Sequence, residues 1–179
     1  MIIKAKKAIK QGGLTLIESL VVVGILLGII AIALTLYGTV MDRINVKNES
    51  ENLSLTYAQV LDIFSDEQTD DLDNALAIQS GIFPTKMKKS GTSKVYNSWD
   101  GAVTINGVNG KNGFTLEYQK VPSGKVCVDL VRNQRKVGWD KVTVAGTAIM
   151  YSALKNTTLA TACDKSTDNI VIVFEKTDT

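Results

Sequence analysis

The longest apolar run of the chain lies near its start and directly follows a short stretch rich in lysine. Residues 14–37 contain almost no polar side chains, and the few that occur include Thr15, Glu18 and Ser19. As a helix this segment would be about 36 Å long, which is enough to cross roughly 30 Å of hydrocarbon. The pattern therefore predicts a membrane-spanning helix over residues 14–37.

After Gly38 the pattern becomes amphipathic, and no proline ends the helix. Charged residues alternate with apolar ones from Val40 onward. The apolar positions recur at helical spacing: Leu53, Tyr57, Val60, Leu61 and Phe64. We therefore expect the helix to continue over residues 38–66, with this stripe packed on a sheet, because one helix of about 50 residues is too long to stand alone in a globular domain.

Residues 67–179 have shorter patterns interrupted by turn residues, and they form the predicted globular head. An acidic stretch over residues 65–73 ends the long helix, and a short helix is expected over Asp73–Gln79. An irregular connection follows, with a basic cluster at Lys86, Lys88 and Lys89. This cluster is either a solvated loop or a surface that binds a partner.

Short apolar runs in the second half of the chain predict strands separated by small helices. Strands are expected over Ala102–Asn106, Phe114–Lys120, Trp139–Val144, Ala148–Tyr151 and Ile170–Glu175. Helices are expected from a Ser123 cap to about Arg135, and over Thr157–Cys163. Repeated Asn-Gly pairs between the first two strands indicate a hairpin, whereas a phosphate-binding loop would need a following helix. The predicted class is α+β, with a long helix packed on an antiparallel sheet.

Composition and charge exclude several kinds of chemistry. The formal net charge is +2, and residues 1–13 hold four lysines and no acidic residue, so the remainder carries −2. A nearly neutral chain gives no electrostatic support for nucleic-acid binding. Histidine is absent from the sequence, which removes the commonest general base and metal ligand. We therefore assign no catalytic residue, metal or cofactor.

The two cysteines, Cys127 and Cys163, both lie in the part of the chain that we expect to be exported. In an oxidising compartment such a pair indicates a disulfide, and two buried free thiols are the alternative. Closing a loop of this length would stabilise the head by about 4 kcal/mol in the chain-entropy model. The cysteines lack CxxC spacing, which argues against a redox catalyst.

The junction between Gly13 and Leu14 separates the basic stretch from the apolar run. An ordinary secretory signal has its apolar region before the cleavage site and loses it on processing. Here, cleavage after Gly13 would remove a basic leader, residues 1–13, and would keep the apolar helix on the mature chain. The lysines are placed to hold the leader in the cytoplasm.

Glu18 is a carboxylate within an apolar run, where a charge is costly. It has two interpretations. In the local one, Thr15 and Glu18 form a capping box at the start of the helix. In the other, Glu18 neutralises the new amine at Leu14 of a neighbouring subunit, which would also fix the axial register between helices at low dielectric.

These residues together resemble a type IV prepilin, over about the first 65 residues. The resemblance implies that a prepilin peptidase cuts between Gly13 and Leu14 and methylates the Leu14 amine. It also implies that the long helix packs with its copies in a filament core and that the heads form the outer surface. Cys127 and Cys163 would bracket region 127–163, which carries surface variation and subunit contacts.

A second, looser match extends into the head. Leu14 in place of phenylalanine resembles the type IVb branch. The residues Trp99-Asp100-Gly101, Phe114–Tyr118, Val121-Pro122 and Cys127 are similar to PilS-type pilins of conjugative thin pili. Three features depart from the family pattern: the leader is short, Trp-Gly-Gly is Trp-Asp-Gly, and the membrane helix lacks proline. Without proline, Gly24, Gly28 and Gly38 are the expected places for any unwinding on assembly.

The resemblance implies a major subunit of a type IVb pilus, used for conjugative mating or adhesion. A minor pilin, a type II secretion pseudopilin, and a membrane-anchored periplasmic enzyme or binding domain are the alternatives. The expected partners are copies of the chain, the prepilin peptidase, the assembly machinery of the inner membrane, and a recipient or host cell surface. The precursor would lie in the bacterial inner membrane and the assembled pilus outside the cell.

Overall fold

The computed structural model describes residues 15–108, 112–164 and 169–177. The chain divides into two compact units, Met1–Val40 and Met41–Thr179, and each is treated by itself below. The predicted leader, the cleavage junction at Gly13-Leu14 and the central Asn-Gly pair of the hairpin lie outside the described residues.

Helix α1, Leu16–Ile63, contributes to both units. In the first unit, every side chain described between residues 15 and 40 is exposed, and most are aliphatic. By length and composition, with a mean hydropathy of 2.8 over its most apolar window, the helix is able to cross a membrane. A helix that is apolar on all sides needs a bilayer or other helices around it.

The second unit is built on an antiparallel sheet, which has seven strands within the described residues. In chain order they are β1 (Lys88–Ser90), β2 (Lys94–Tyr96), β3 (Ala102–Gly107), β4 (Phe114–Val121), β5 (Lys141–Val144), β6 (Thr147–Met150) and β7 (Ile170–Lys176). Their spatial order is β1-β2-β3-β4-β7-β5-β6. The predicted α+β class, a long helix on an antiparallel sheet, is confirmed.

The final strand, β7, lies inside the sheet and joins its two halves. It pairs with β4 on one side, for example Leu116 with Phe174, and with β5 on the other, where Val142 also meets Phe174. The β4–β7 register shifts between Tyr118 and Val121. Lys120, within this bulge, has a φ of 54°, which adds local twist to the strand.

The head half of α1 packs on this sheet through a buried stripe. Val46, Leu53, Tyr57 and Val60 are each 7% exposed or less, which is the helical spacing expected of a face that packs on a core. Phe64 is partly buried against the same core. The prediction for Leu61 was wrong, because its side chain, at the edge of the stripe, is 42% exposed.

The described residues of the head also form three short α-helices, α2 (Asn74–Gln79), α3 (Lys125–Asn133) and α4 (Asn156–Cys163), and two 3-10 helices, Gln134–Lys136 and Tyr151–Ala153. Asp73 caps α2 as its N-cap residue and accepts a hydrogen bond from the Leu76 N–H at 2.8 Å. The predicted Ser123 cap of α3 is wrong. Gly124 is the N-cap, at a φ of 66° and without a side-chain cap bond, because that left-handed φ favours glycine.

Two further sequence predictions are corrected by the strands. The connection predicted to be irregular contains β1 and β2, whose three residues each are too short for a two-residue period to be visible. Trp139 and Asp140 precede β5 instead of belonging to it. The β5–β6 hairpin turns through Ala145 and Gly146, with φ values of 48° and 83°, as in a type I′ turn.

Candidate functional site

The start of α1 is closed by a reciprocal cap between Thr15 and Glu18. The Thr15 N–H donates to Oε2 of Glu18 at 2.8 Å, and the Glu18 N–H donates to Oγ1 of Thr15 at 3.3 Å. These two bonds satisfy open N–H groups at the helix start. The capping interpretation of Glu18 is thus realised within one chain. Its role toward a neighbouring Leu14 amine stays a prediction, because Leu14 lies outside the described residues.

Gly24 and Gly28 leave the backbone of the apolar helix open. A Cβ atom added at either position would meet no other atom within 4 Å. Residues four apart lie on the same side of a helix, so the two glycines form one low strip on its surface. Such a strip lets a second helix approach closely in an apolar environment.

The two predicted cysteines form a disulfide, which confirms that prediction. Cys127 lies on α3 and Cys163 on α4, with their Cα atoms 5.7 Å apart and a sequence separation of 36. Both are fully buried. The Gly124 N–H donates to the Cys163 carbonyl at 2.9 Å. The disulfide therefore fixes the ends of region 127–163 to each other. This region contains most of α3 together with β5, β6 and α4.

Glu49 is a functional candidate that the sequence prediction missed. It lies on the buried stripe of α1, between Val46 and Leu53, and its side chain is only 2% exposed. Its Oε1 accepts hydrogen bonds from the Ser98 N–H at 2.8 Å and the Ser98 hydroxyl at 2.6 Å. A carboxylate at helical spacing among apolar residues was the available signal. The contact ties α1 to the turn between β2 and β3.

That turn, Asn97–Gly101, is held by one amide side chain. Oδ1 of Asn97 accepts from the N–H groups of Trp99 (3.0 Å) and Gly101 (2.9 Å), and its Nδ2 donates to the Gln119 carbonyl at 2.7 Å. A Cβ atom added to Gly101 would lie 1.8 Å from that carbonyl oxygen. Position 101 therefore requires glycine.

Asp100 adopts a φ of 53° in the same turn, a left-handed conformation that aspartate tolerates better than most residues. Its carboxylate receives a hydrogen bond from Lys88 Nζ at 2.7 Å. This bond is the main reason that the pKa of Lys88 is raised and that of Asp100 lowered. Asp100 is the middle position of the pattern Trp-Gly-Gly. This chain can have aspartate there, because no close contact prevents a side chain at this position.

The basic cluster on and before β1 is largely engaged within the head. Nζ of Lys86 lies 4.0 Å from Oε2 of Glu51, and Lys88 forms an ion pair with Asp100. Lys89 donates to the Phe83 carbonyl at 3.0 Å. These contacts anchor the strand and reduce the charge available to an anionic partner.

Two clefts flank the head half of α1. The larger, about 920 Å³, lies between α1 and α3 and is lined by residues such as Val46, Leu55 and Asn133. The smaller, about 220 Å³, lies between α1 and the β2–β3 turn, and Glu49 contributes to its wall. Within the described part of the chain, no group of three or more His, Cys, Asp or Glu side chains could hold a metal ion.

Comparison with known proteins agrees with this geometry. The chain matches the family model described as PilS N terminal over residues 43–176. No curated protein matches it. It is similar to the crystal structure of type IV b pilin from Salmonella typhi, with a TM-score of 0.59 and 19% identity, over 74% of this chain and 99% of that one. At this identity, the structural likeness concerns the fold.

Proposed function

This chain belongs to the PilS family of pilins, and on that premise we propose that it is the major structural subunit of a type IVb pilus. The observation that carries the proposal is the apolar part of α1, whose described side chains are exposed around the whole helix. This surface needs apolar surroundings outside the bilayer. Self-assembly provides them, because copies of the same helix can bury one another once they leave the membrane.

The proposed sequence of events begins in the bacterial inner membrane, with the leader in the cytoplasm and the head in the periplasm. A prepilin peptidase cuts between Gly13 and Leu14 and methylates the Leu14 amine. The inner-membrane assembly machinery then transfers the subunit into the growing fibre. The role is structural, since neither the family nor the fold points to catalysis.

In the fibre, Glu18 of one subunit pairs with the Leu14 amine of a neighbour. The cap within the chain holds Oε2 against the Thr15 N–H, which places the carboxylate at the start of the helix; in sequence, Glu18 follows Leu14 by four residues. Because opposite charges attract strongly among apolar side chains, the pair would select one axial stagger out of many.

The disulfide supports a pilin over a secretion pseudopilin, because pseudopilins commonly lack this bond. A minor pilin is distinguished by abundance. In sheared fibres separated by electrophoresis, a major subunit forms the dominant band. Fibres in which this chain is a trace component would reassign it as a minor pilin.

Processing at Leu14 gives the first test. Intact-mass measurement of the exported protein should correspond to a chain that begins at Leu14 with one added methyl group. A chain that still begins at Met1 would refute processing at this site.

A substitution at Glu18 gives the second test. We expect Glu18→Ala to insert into the membrane but to be excluded from fibres formed by co-expressed wild-type chain, because its neighbour's amine stays unpaired. Glu18→Gln is the matched variant, since it keeps a capping oxygen and removes only the charge. Normal fibres from either variant alone would contradict the pairing role.

We further propose that the assembled pilus acts outside the cell, in conjugative mating or in adhesion to a host surface. Both uses require a fibre that projects from the cell and exposes many identical heads. Deletion of the gene followed by separate mating and adhesion assays distinguishes the two, and unchanged values in both assays would contradict both uses.

A further inference from the structure

A basic surface of the head lies at the end of α3, beside the larger cleft, whose wall includes Asn133. Its four cations are all exposed, and we call them the basic ridge: Arg132, Arg135, Lys136 and Lys155. Nη2 of Arg135 donates to the Leu154 carbonyl at 3.4 Å, which brings Lys155 close to the 3-10 helix after α3. Among the described residues, one carboxylate pairs with this ridge, since Oδ1 of Asp129 lies 3.8 Å from Nη1 of Arg132. The ridge therefore has an excess of positive charge.

The complementary charge lies on a different part of the same head. Between residues 48 and 85 the sequence has eight carboxylates and no lysine or arginine. Four exposed ones lie at the end of α1 and in the connection that follows it, and we call them the acidic segment: Asp62, Asp66, Glu67 and Asp71. None of these four takes part in an ion pair between described residues.

The two surfaces are displaced along the axis of the head half of α1. The start of the ridge is level with Ser50, because the Asn133 amide donates to the Ser50 hydroxyl at 3.1 Å. The acidic segment lies at the end of α1, which is Ile63. At a rise of 1.5 Å per residue, the segment is therefore about 20 Å beyond the start of the ridge.

The two surfaces are also separated across the sheet. The carbonyl of Leu72, next to the acidic segment, accepts from the Gly107 N–H of β3 at 2.9 Å. The hydroxyl of Tyr151, directly after β6, donates to the Val131 carbonyl of α3 at 3.2 Å. Strands β3 and β6 lie on opposite sides of β7. The acidic segment and the basic ridge thus belong to different sides of the head.

We propose that the acidic segment of one copy binds the basic ridge of a second copy, which is displaced by about 20 Å along the fibre axis. This contact rests on the proposed pilus, in which all copies point the same way. The displacement brings the segment of the lower copy level with the ridge of the upper copy, so that opposite charges face each other. Each copy uses a different surface on either side, and such a heterologous contact generates an open fibre when it does not close into a ring.

Carbodiimide cross-linking of sheared wild-type fibres tests the contact without any substitution, because the reagent joins a carboxylate to a lysine amine that touches it. We expect mass spectrometry to find products that join the acidic segment to Lys136 or Lys155. The unassembled full-length chain in detergent micelles should give none of them, whereas products of the Lys88–Asp100 ion pair should form in both samples.

The cross-linking result separates this contact from the proposed pilus. Fibres of this chain that give the Lys88–Asp100 product but no product between the acidic segment and the ridge would overturn the contact alone. Fibres that lack this chain altogether would refute the proposed pilus and the contact with it.

Charge reversal provides the second test, with two charges changed at once because a single exposed ion pair is weak. The segment variant combines Asp66→Lys with Glu67→Lys, and the ridge variant combines Lys136→Glu with Lys155→Glu. At equal amounts in the membrane, we expect each variant to be at least about tenfold less abundant in sheared fibres, because like charges then face each other. A chain that carries both reversals restores the opposite charges and should recover to within about threefold of wild type.

A matched control separates the contact from net charge. Lys94→Glu combined with Lys120→Glu changes the net charge as much as the ridge variant does, at two exposed lysines on β2 and β4. This control should assemble like wild type. An unchanged fibre yield in the segment or ridge variant, no recovery in the chain with both reversals, or an equal loss in the control would overturn the proposal.

Discussion

Asp100 and Gly101 are neighbours in one turn, yet the backbone constrains them in different ways. At Gly101 the obstacle is a contact, because any Cβ atom would overlap the Gln119 carbonyl. At Asp100 the constraint is conformational, since the φ of 53° is allowed for aspartate but easier for glycine. The two positions therefore have two separate requirements, and this chain has glycine at the position where a side chain would overlap the backbone.

Substitutions in this turn should separate the two requirements. Gly101→Ala should destabilise the head by about 1–3 kcal/mol or more, as for overpacking of a closed site. Asp100→Gly should leave the thermal midpoint unchanged or raise it, because it relieves the left-handed backbone and loses only an exposed ion pair. Thermal unfolding followed by circular dichroism measures both. A loss of stability in Asp100→Gly as large as in Gly101→Ala would contradict this account.

At the residue scale, the sequence predicted the groups whose signal is local. The Thr15–Glu18 cap follows from spacing within one helical turn, and the cysteine pair follows from the count of thiols and the expected compartment. Glu49 escaped prediction because its partner, Ser98, is 49 residues away. The spacing of Glu49 among apolar positions indicated burial, but a local pattern does not identify the partner that satisfies the charge.

The head half of α1 has a buried face and an exposed face, and both faces mix apolar and polar side chains. Its buried face is not uniformly apolar, because Glu49, Asn52 and Thr56 lie among the apolar residues and are 4% exposed or less. Apolar side chains are also exposed, Leu55 on the opposite face and Leu61 at the edge of the buried stripe. This mixture explains why the hydrophobic pattern identified the helix but assigned Leu61 to its buried stripe.

A matched pair of leucines tests which face packs on the sheet. Leu53→Ala should lower the free energy of unfolding by about 2–5 kcal/mol, because Leu53 is fully buried. Leu55→Ala removes the same atoms from a side chain that is 51% exposed, and should change stability by no more than about 0.5 kcal/mol. Denaturant unfolding of the purified chain measures both. Equal losses from the two variants would show that the packing face is incorrectly assigned.

At the element scale, the sequence predicted the longer helices and strands correctly and missed the shortest ones. The long helix and the strands around Leu116 and Ile172 have enough residues for a period to be recognised. Strands β1 and β2 have three residues each. That is too few for a recognisable period, so these strands depend on pairing with other strands, which a local pattern does not show. The start of α3 was missed by one residue, because the N-cap is Gly124, whose φ is 66°.

In the head as a whole, three tyrosines keep their hydroxyl groups in the interior. Burial raises the pKa of Tyr118 well above its usual range, with a further contribution from the nearby Glu49 charge. Burial likewise raises the pKa of Tyr151 and Tyr57. Each folded phenol therefore holds its proton more tightly than the unfolded one, whose pKa is about 10.

This difference predicts alkaline unfolding of the head. The contribution of the three tyrosines to the free energy of unfolding is complete below about pH 10. It falls as the pH rises from there toward the pKa values of the folded state, because the unfolded chain releases these protons first. Ultraviolet absorbance should show these phenols ionising together with the loss of circular dichroism. Tyr151→Phe should make the decline with pH less steep. Full ionisation of every tyrosine in a head that stays folded would contradict the prediction.

The position of β7 has a consequence for biogenesis. Until Ile170–Lys176 arrives between β4 and β5, the two parts of the sheet have open edges facing each other, and open edges invite pairing with other chains. Translation delivers these residues after strands β1 to β6. The sheet can therefore close only after the residues of β7 have been synthesised.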